Sequence, residues 1–247
     1  MSRTAQLFVT CLIDGFFPQV GEAVVDVLER AGVTVEFPAD QTCCGQPPFN
    51  AGFPDEARRI VHHLLDTLDA TEGAIVVPSG SCADMIINHA PDLVAEDPNR
   101  AAQAQRVAER TRELTTYLVD DIGVQDLDAR LEAAAAYHPS CHGMRNLGIR
   151  HQPEGLLDQV AGLERCDVAD AEECCGFGGL FSVEMPEVSA AMMSRKLDAL
   201  AGSGAELVVG IDVGCLMHLE GGERRRGGSL RFRHIAEVLA GTGEPSP

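Results

Sequence analysis

Residues 41–49 read QTCCGQPPF, and residues 172–181 read EECCGFGGLF. Two adjacent cysteines followed by glycine are uncommon once, and here they occur twice. The remaining cysteines extend the likeness. Nine cysteines stand at 11, 43, 44, 82, 141, 166, 174, 175 and 215. With Cys166 set aside, two quartets remain: Cys11, Cys43, Cys44, Cys82 and Cys141, Cys174, Cys175, Cys215. Cys141 follows Cys11 by 130 residues, Cys174 and Cys175 follow Cys43 and Cys44 by 131, and Cys215 follows Cys82 by 133. A near-constant offset across four positions indicates an internal duplication. AIVVPSGSC (74–82) against LVVGIDVGC (207–215) supports it. The polar stretch DDIGVQDLDAR (120–130) divides the chain into a first repeat, 1–128, and a second, 129–247, each near ordinary domain size.

Each repeat reads as strands alternating with helices. AQLFVT (5–10), VTVEF (33–37) and GAIVV (73–77) are short apolar runs suited to buried strands. Pro18 opens a helix whose inward face is Val20, Val24, Val27, Leu28 and Ala31, and Gly32 ends it. A helix over 55–70 presents Ala57, Ile60, Val61, Leu64, Leu65 and Leu68, and a long charged helix is expected near 99–119. The second repeat is read as a strand near 133–137, a helix near 153–163, a short strand at 166–168, a helix over 186–201 and a strand at 206–211. The helix over 186–201 is expected to turn Ala190, Met193, Leu197 and Leu200 inward. This alternation predicts an α/β fold: two pseudo-symmetric repeats, each a small mostly parallel sheet flanked by helices.

In that fold the cysteines have a common address. Cys11, the Cys43–Cys44 pair and Cys82 each follow a strand, as do their partners in the second repeat. Loops at the carboxyl ends of parallel strands share one sheet edge, where such folds hold ligands. Four thiols per repeat can therefore converge, and thiolates suit zinc or an iron–sulfur cluster. The ligands are either adjacent or more than thirty residues apart, unlike the close C-x₂₋₄-C pairs of zinc knuckles, and this spacing favours iron–sulfur. Gly45 and Gly176 would permit a positive φ and bring backbone N–H groups toward the sulfurs.

Composition narrows the partners. With 19 Lys+Arg against 38 Asp+Glu, the formal charge is −19. Nucleic acid and anionic membrane surfaces would be repelled. No run of about 20 apolar residues suggests membrane insertion. The beginning, MSRTAQLFVTCLIDG, has none of the features of a signal peptide. A cytoplasmic location with reduced thiols is expected.

The doubled pattern of Cys, about thirty residues, Cys-Cys-Gly, nearly forty residues, Cys resembles the CCG cysteine-rich family. That family includes the cysteine-rich component of heterodisulfide reductase and the iron–sulfur components of glycolate and anaerobic glycerol-3-phosphate oxidation. Segments 11–52, HPSCHG (138–143) and ECCGFGGLFS (173–182) look like its lactate-utilization branch. The resemblance implies an iron–sulfur electron-transfer component of an L-lactate oxidation system, acting as one part of an oxidoreductase complex with partner subunits. It also implies clusters, of 4Fe–4S type, held by Cys11, Cys43, Cys44, Cys82, Cys141, Cys174, Cys175 and Cys215. In the heterodisulfide reductase component a second cysteine stands where this chain has Met85 and His218. Four thiols per repeat remain here, so one cluster per repeat and fewer clusters shared across the interface both stay open. Two alternatives stand beside electron transfer: a cluster-dependent thiol–disulfide reductase and a zinc-stabilised binding module.

Other residues carry weaker signals. His138 and His142 flank Cys141 and could relay protons or tune a cluster, or satisfy local turns. Asp14 reads as a helix cap, Cys166 as a small core residue, and Arg224–Arg226 as a solvated loop. Gln41, Gln46 and Asn50 flank the first Cys-Cys pair, where they could bind a polar substrate or satisfy their own loop. No dinucleotide or phosphate fingerprint is present. The tail after Gly241 is expected to be disordered.

Overall fold

The computed structural model describes residues 3–241, so the tail after Gly241 lies outside the described residues. Repeat one begins with β1 (Arg3–Leu7), the short α1 (Cys11–Phe16), α2 (Pro18–Arg30) and β2 (Val33–Glu36). Then come α3 (Gln46–Asn50), α4 (Pro54–Asp69), β3 (Ala74–Val77) and α5 (Gly80–Asp84). α5 runs through a π-helical turn, Met85–His89, into α6 (Ala90–Leu93). α7 (Pro98–Arg110), β4 (Thr111–Glu113) and α8 (Leu114–Thr116) follow, and a second π-helical turn, Tyr117–Asp121, closes the repeat.

Repeat two retraces the plan. β5 (Arg130–His138) leads through Cys141 and a π-helical turn, His142–Asn146, to α9 (His151–Leu157) and β6 (Ala161–Cys166). α10 (Phe181–Glu184), α11 (Pro186–Gly202), β7 (Leu207–Gly210), α12 (Val213–Arg226), β8 (Arg231–His234) and α13 (Ile235–Leu239) complete it. The sheets run β2-β1-β3-β4 and β6-β5-β7-β8, with every neighbouring pair parallel. The registers correspond too: Ala5 pairs with Ala74 as Ala135 pairs with Leu207.

The interior strands β1, β3, β5 and β7 are buried over most of their length, which is why they read as apolar runs rather than alternating ones. The outer face of the first sheet packs Phe8, Ile75 and Val77 against Val61, Leu64 and Leu68 of α4. The second packs Ala136 and Val208 against Leu197 and Leu200 of α11. The inner faces share one core across the repeats, in which Leu7, Val24 and Val76 join Tyr137, Val209 and Leu239. Arg30 at the end of α2 donates to the carbonyls of Leu127, Leu239 and Ala240, tying the repeats at the far end of that core.

Four readings change. The helix expected near 99–119 stops at Arg110, and a strand pairs with β3 before the chain turns helical again. Charged letters hide this strand, yet Thr111 and Glu113 are buried. The helix expected to 163 ends at Leu157, and β6 occupies 161–166 as a polar, mostly exposed strand at the sheet's end. β8, with the sequence RFRH, was hidden by its charges in the same way. On α11 the buried residues are Ser189, Lys196, Leu197 and Leu200, and Ala190 is exposed. Lys196 donates to the carbonyls of Asp170 and Ala171, which is how a lysine is held inside.

Candidate metal centre

The carboxyl ends of the two sheets face one another, and eight thiols line a single cavity of about 220 Å³ between them. They are Cys11, Cys43, Cys44 and Cys82 from repeat one and Cys141, Cys174, Cys175 and Cys215 from repeat two. All nine cysteines are free thiols. Sulfur–sulfur separations are 4.0 Å for Cys11–Cys43, 3.3 Å for Cys44–Cys82 and 3.1 Å for Cys175–Cys215. These are contacts, well beyond a bonded pair at about 2.05 Å. Cys166 does not line the cavity; it is half-buried at the end of β6, more open than a core residue would be.

Local chemistry sets each thiol in place. Gly45 and Gly176 adopt φ of 91° and 87°, which turns their N–H groups back onto Cys43 Sγ and Cys174 Sγ, at 3.4 Å in both repeats. A side chain at Gly176 would stand 2.7 Å from the Ser189 carbonyl, so glycine also permits the loop to lie on α11. Ser79 caps α5 by accepting from Cys82 N, and Asp212 caps α12 by accepting from Gly214 N. Gln41 accepts from Val9 N at 2.7 Å and donates to the Leu7 carbonyl, pinning the Cys43–Cys44 loop to the loop before Cys11. Gln46 donates to the Ser81 carbonyl at 3.1 Å, joining that loop to the one bearing Cys82. Thr10, just before Cys11, is buried with φ of 64°, a strained geometry for a β-branched residue.

The thiols ionise unevenly because they crowd one another. Hydrogen bonds from Cys11 and Cys44 hold Cys43 as a thiolate, down to about 3. Those from Cys141 and Cys175 hold Cys174 down to about 2. Cys11, Cys44, Cys141 and Cys175 are pushed up, first by donating to those thiolates and then by burial. Full ionisation of such a site needs a cation among the sulfurs.

A polar seam joins the repeats beside the cavity. Ser79 Oγ and Ser81 N both donate to Asp212 Oδ2, at 3.1 and 2.9 Å, so the caps of the two cysteine-bearing helices meet. Asp84 is wholly buried; its carboxylate accepts from Asn88 and Asn146 at 2.7 Å and pairs with His142 Nδ1 at 2.6 Å. Burial works against the Asp84 charge, but the bonds from His142, Asn88 and Asn146 prevail and hold it at about 2. The same bond raises His142.

His138 ends β5 fully buried, and burial, helped by the Lys196 charge, lowers it to about 3, so its ring is neutral. His138 is not among the residues that line the cavity, but one of its ring nitrogens and the Cys175 and Cys215 sulfurs lie within 4.8 Å of one another. His218 does not line the cavity; it stands against Phe177, with ring centroids 5.7 Å apart, and near Ser189 Oγ at 3.4 Å. Asp14 lies inside the first turn of α1 rather than at its cap, which is Thr10. Arg224 and Arg226 belong to α12 and pair with Glu220, Glu223 and Asp198. Sequence reading missed Asp84, Lys196 and the Ser79–Asp212 contact. A signal for the last was present: Ser79 and Asp212 each stand three residues before the last cysteine of their repeat, the spacing of a helix cap.

Fold and site together define a duplicated α/β protein whose two halves enclose a thiol-lined cavity. The chain belongs to the CCG family, whose cysteine-rich domain model matches residues 5–87 and 135–220. It is closely related to lactate utilization protein A. Identity to that protein from an Exiguobacterium species is 45% over 234 residues, covering 94% of this chain and 95% of the relative. Identity to that from Anoxybacillus flavithermus is 46% over 233 residues, covering 94% and 97%. A crystal structure of a hypothetical protein from Helicobacter pylori has a similar fold, with a TM-score of 0.71 at 10% identity, over 100% of this chain and 50% of that one. Among the described residues no helix is long and apolar enough to cross a membrane.

Proposed function

We propose that this chain is the iron–sulfur electron-transfer component of an L-lactate oxidation system. The observation that carries the reading is the convergence of eight unbonded thiols on one cavity. The likeness to relatives named lactate utilization protein A supports lactate as the substrate of that system. The eight thiols are soft donors of the kind that iron–sulfur centres use. An iron–sulfur centre would supply one-electron transfer.

The chain's own part is to hold and tune. Cys11, Cys43, Cys44 and Cys82 would hold one centre, and Cys141, Cys174, Cys175 and Cys215 a second. The Gly45 and Gly176 N–H groups donate to thiolate sulfur, which favours the more reduced state by withdrawing negative charge. Cys44 and Cys175 are buried and Cys11 is exposed, so the site is dry on one side and reachable on the other. Electrons would enter and leave through partner subunits. Dehydrogenation of lactate belongs to a partner, because this chain carries no flavin or nicotinamide fingerprint.

The test is anaerobic purification of the full chain, analysis for iron, sulfide and zinc, and a paramagnetic spectrum before and after reduction. Iron with sulfide and a redox-dependent spectrum is expected. Zinc without iron overturns the reading, and turnover of a disulfide by the isolated protein would replace it with a reductase.

A further inference from the structure

Buried histidines ordinarily engage their ring nitrogens in hydrogen bonds. His138 does not: it is 1% exposed, and neither Nδ1 nor Nε2 has a partner. Each unmet polar atom has lost its water and gained nothing in exchange, which is destabilising. The duplication shows that an apolar ring serves in this place. Phe8 stands 130 residues before His138, the offset that relates Cys11 to Cys141, and it is fully buried in repeat one. Repeat two therefore accepts two unsatisfied nitrogens where repeat one has a phenyl ring. One ring nitrogen does lie within 4.8 Å of the Cys175 and Cys215 sulfurs. A borderline nitrogen donor beside two soft sulfur donors is a ligand set.

We infer that His138 is a nitrogen ligand to the metal centre of repeat two, acting with Cys175 and Cys215. The two centres are then chemically unequal: repeat one offers sulfur only, and repeat two offers sulfur and imidazole. With all four thiols of repeat two retained, the imidazole adds a neutral donor that repeat one lacks, so the two centres differ in the number and symmetry of their ligands. Lys196, buried near the same thiols, adds positive charge on that side.

This inference rests on the iron–sulfur reading, and one experiment separates their failures. The full chain is reconstituted anaerobically with iron and sulfide, using histidine labelled with the heavy nitrogen isotope, and examined by pulsed paramagnetic resonance and by iron Mössbauer spectroscopy. A strong histidine-nitrogen coupling is expected, absent in His138→Phe and retained in His218→Phe, with one iron site altered in the Mössbauer spectrum of His138→Phe alone. Phenylalanine is the residue repeat one uses here, and the labelled unmutated protein gives its answer without any variant. Iron bound with no histidine coupling and identical Mössbauer spectra overturns this inference alone. A coupling lost in His218→Phe instead of His138→Phe also overturns it. No iron uptake overturns the electron-transfer reading and this inference with it.

Discussion

Asp212 is the residue through which the two cysteine-bearing helices support one another. Its Oδ1 accepts from Gly214 N at 3.1 Å and caps α12, three residues before Cys215. Its Oδ2 accepts from Ser79 Oγ at 3.1 Å and Ser81 N at 2.9 Å, and Ser79 in turn caps α5, which carries Cys82. The side chain is almost fully buried, so water cannot replace these bonds. Asp212→Ala removes a cap worth about 1 kcal/mol. It also removes two hydrogen bonds to a charged group, each about 1.5–3 kcal/mol before partial relaxation. The expected loss is about 4 kcal/mol of unfolding free energy in anaerobic urea denaturation of the full chain. Asp212→Asn keeps an acceptor oxygen and should lose about half as much. Both Cys82 and Cys215 move when the caps go, so iron retention should fall in both repeats. A double-mutant cycle with Ser79→Ala should show coupling of about 1 kcal/mol. An Asp212→Ala protein within about 1 kcal/mol of the unmutated chain, or one that loses iron from repeat two alone, would refute the reasoning.

Three further outcomes are expected. Burial, against hydrogen bonds from Thr115 and Thr116, raises Glu113 from 4.5 to about 7. The folded chain therefore keeps a proton that the unfolded chain loses. The stability Glu113 contributes is complete below pH 4.5 and is lost as pH rises through about 7. Compared with Glu113→Gln, the unmutated protein should lose about 3 kcal/mol between pH 4 and pH 8, and a difference flat with pH would contradict this. Gly176→Ala and Gly45→Ala each cost about 1–2 kcal/mol for a left-handed backbone. Only the Gly176 side chain meets a backbone oxygen at 2.7 Å, whereas at Gly45 the nearest atom is Val61 Cγ2 at 3.3 Å. Urea midpoints should therefore rank Gly176→Ala well below Gly45→Ala. Finally, Cys166→Ser should leave iron content unchanged while Cys44→Ser and Cys175→Ser each lower it, because Cys166 does not line the cavity.

Several features were legible before any coordinates. Cysteine offsets expose the duplication, because a covalent spacing survives folding unchanged. β1, β3 and β7 are legible because strands buried on both faces must be apolar along their length. β4 and β8, at one end of each sheet, are hidden, and β6, at the other end of its sheet, is read only as a short strand at 166–168. A strand paired on one side only can carry charges, and TRE and RFRH then look like helix or loop. The end of α9 was misplaced for the same reason, since its apolar run continues into the polar strand β6.

At the site, identity and function of the letters diverge. Sequence determined by itself which eight cysteines belong together, how they divide into quartets, and that glycine must follow each pair. Those are properties of order along the chain and of backbone conformations open only to glycine. It left open whether the quartets stand apart or together. Tertiary structure decided that both sets face one cavity, that Asp212 and Ser79 join the two cysteine-bearing helices, and that the buried His138, whose ring nitrogens have no hydrogen-bond partner, lies beside Cys175 and Cys215. The reason is physical. Apolar patterning specifies which face of each sheet is buried, but the meeting of the sheets follows from a core shared between repeats and polar bonds made across more than fifty residues of chain.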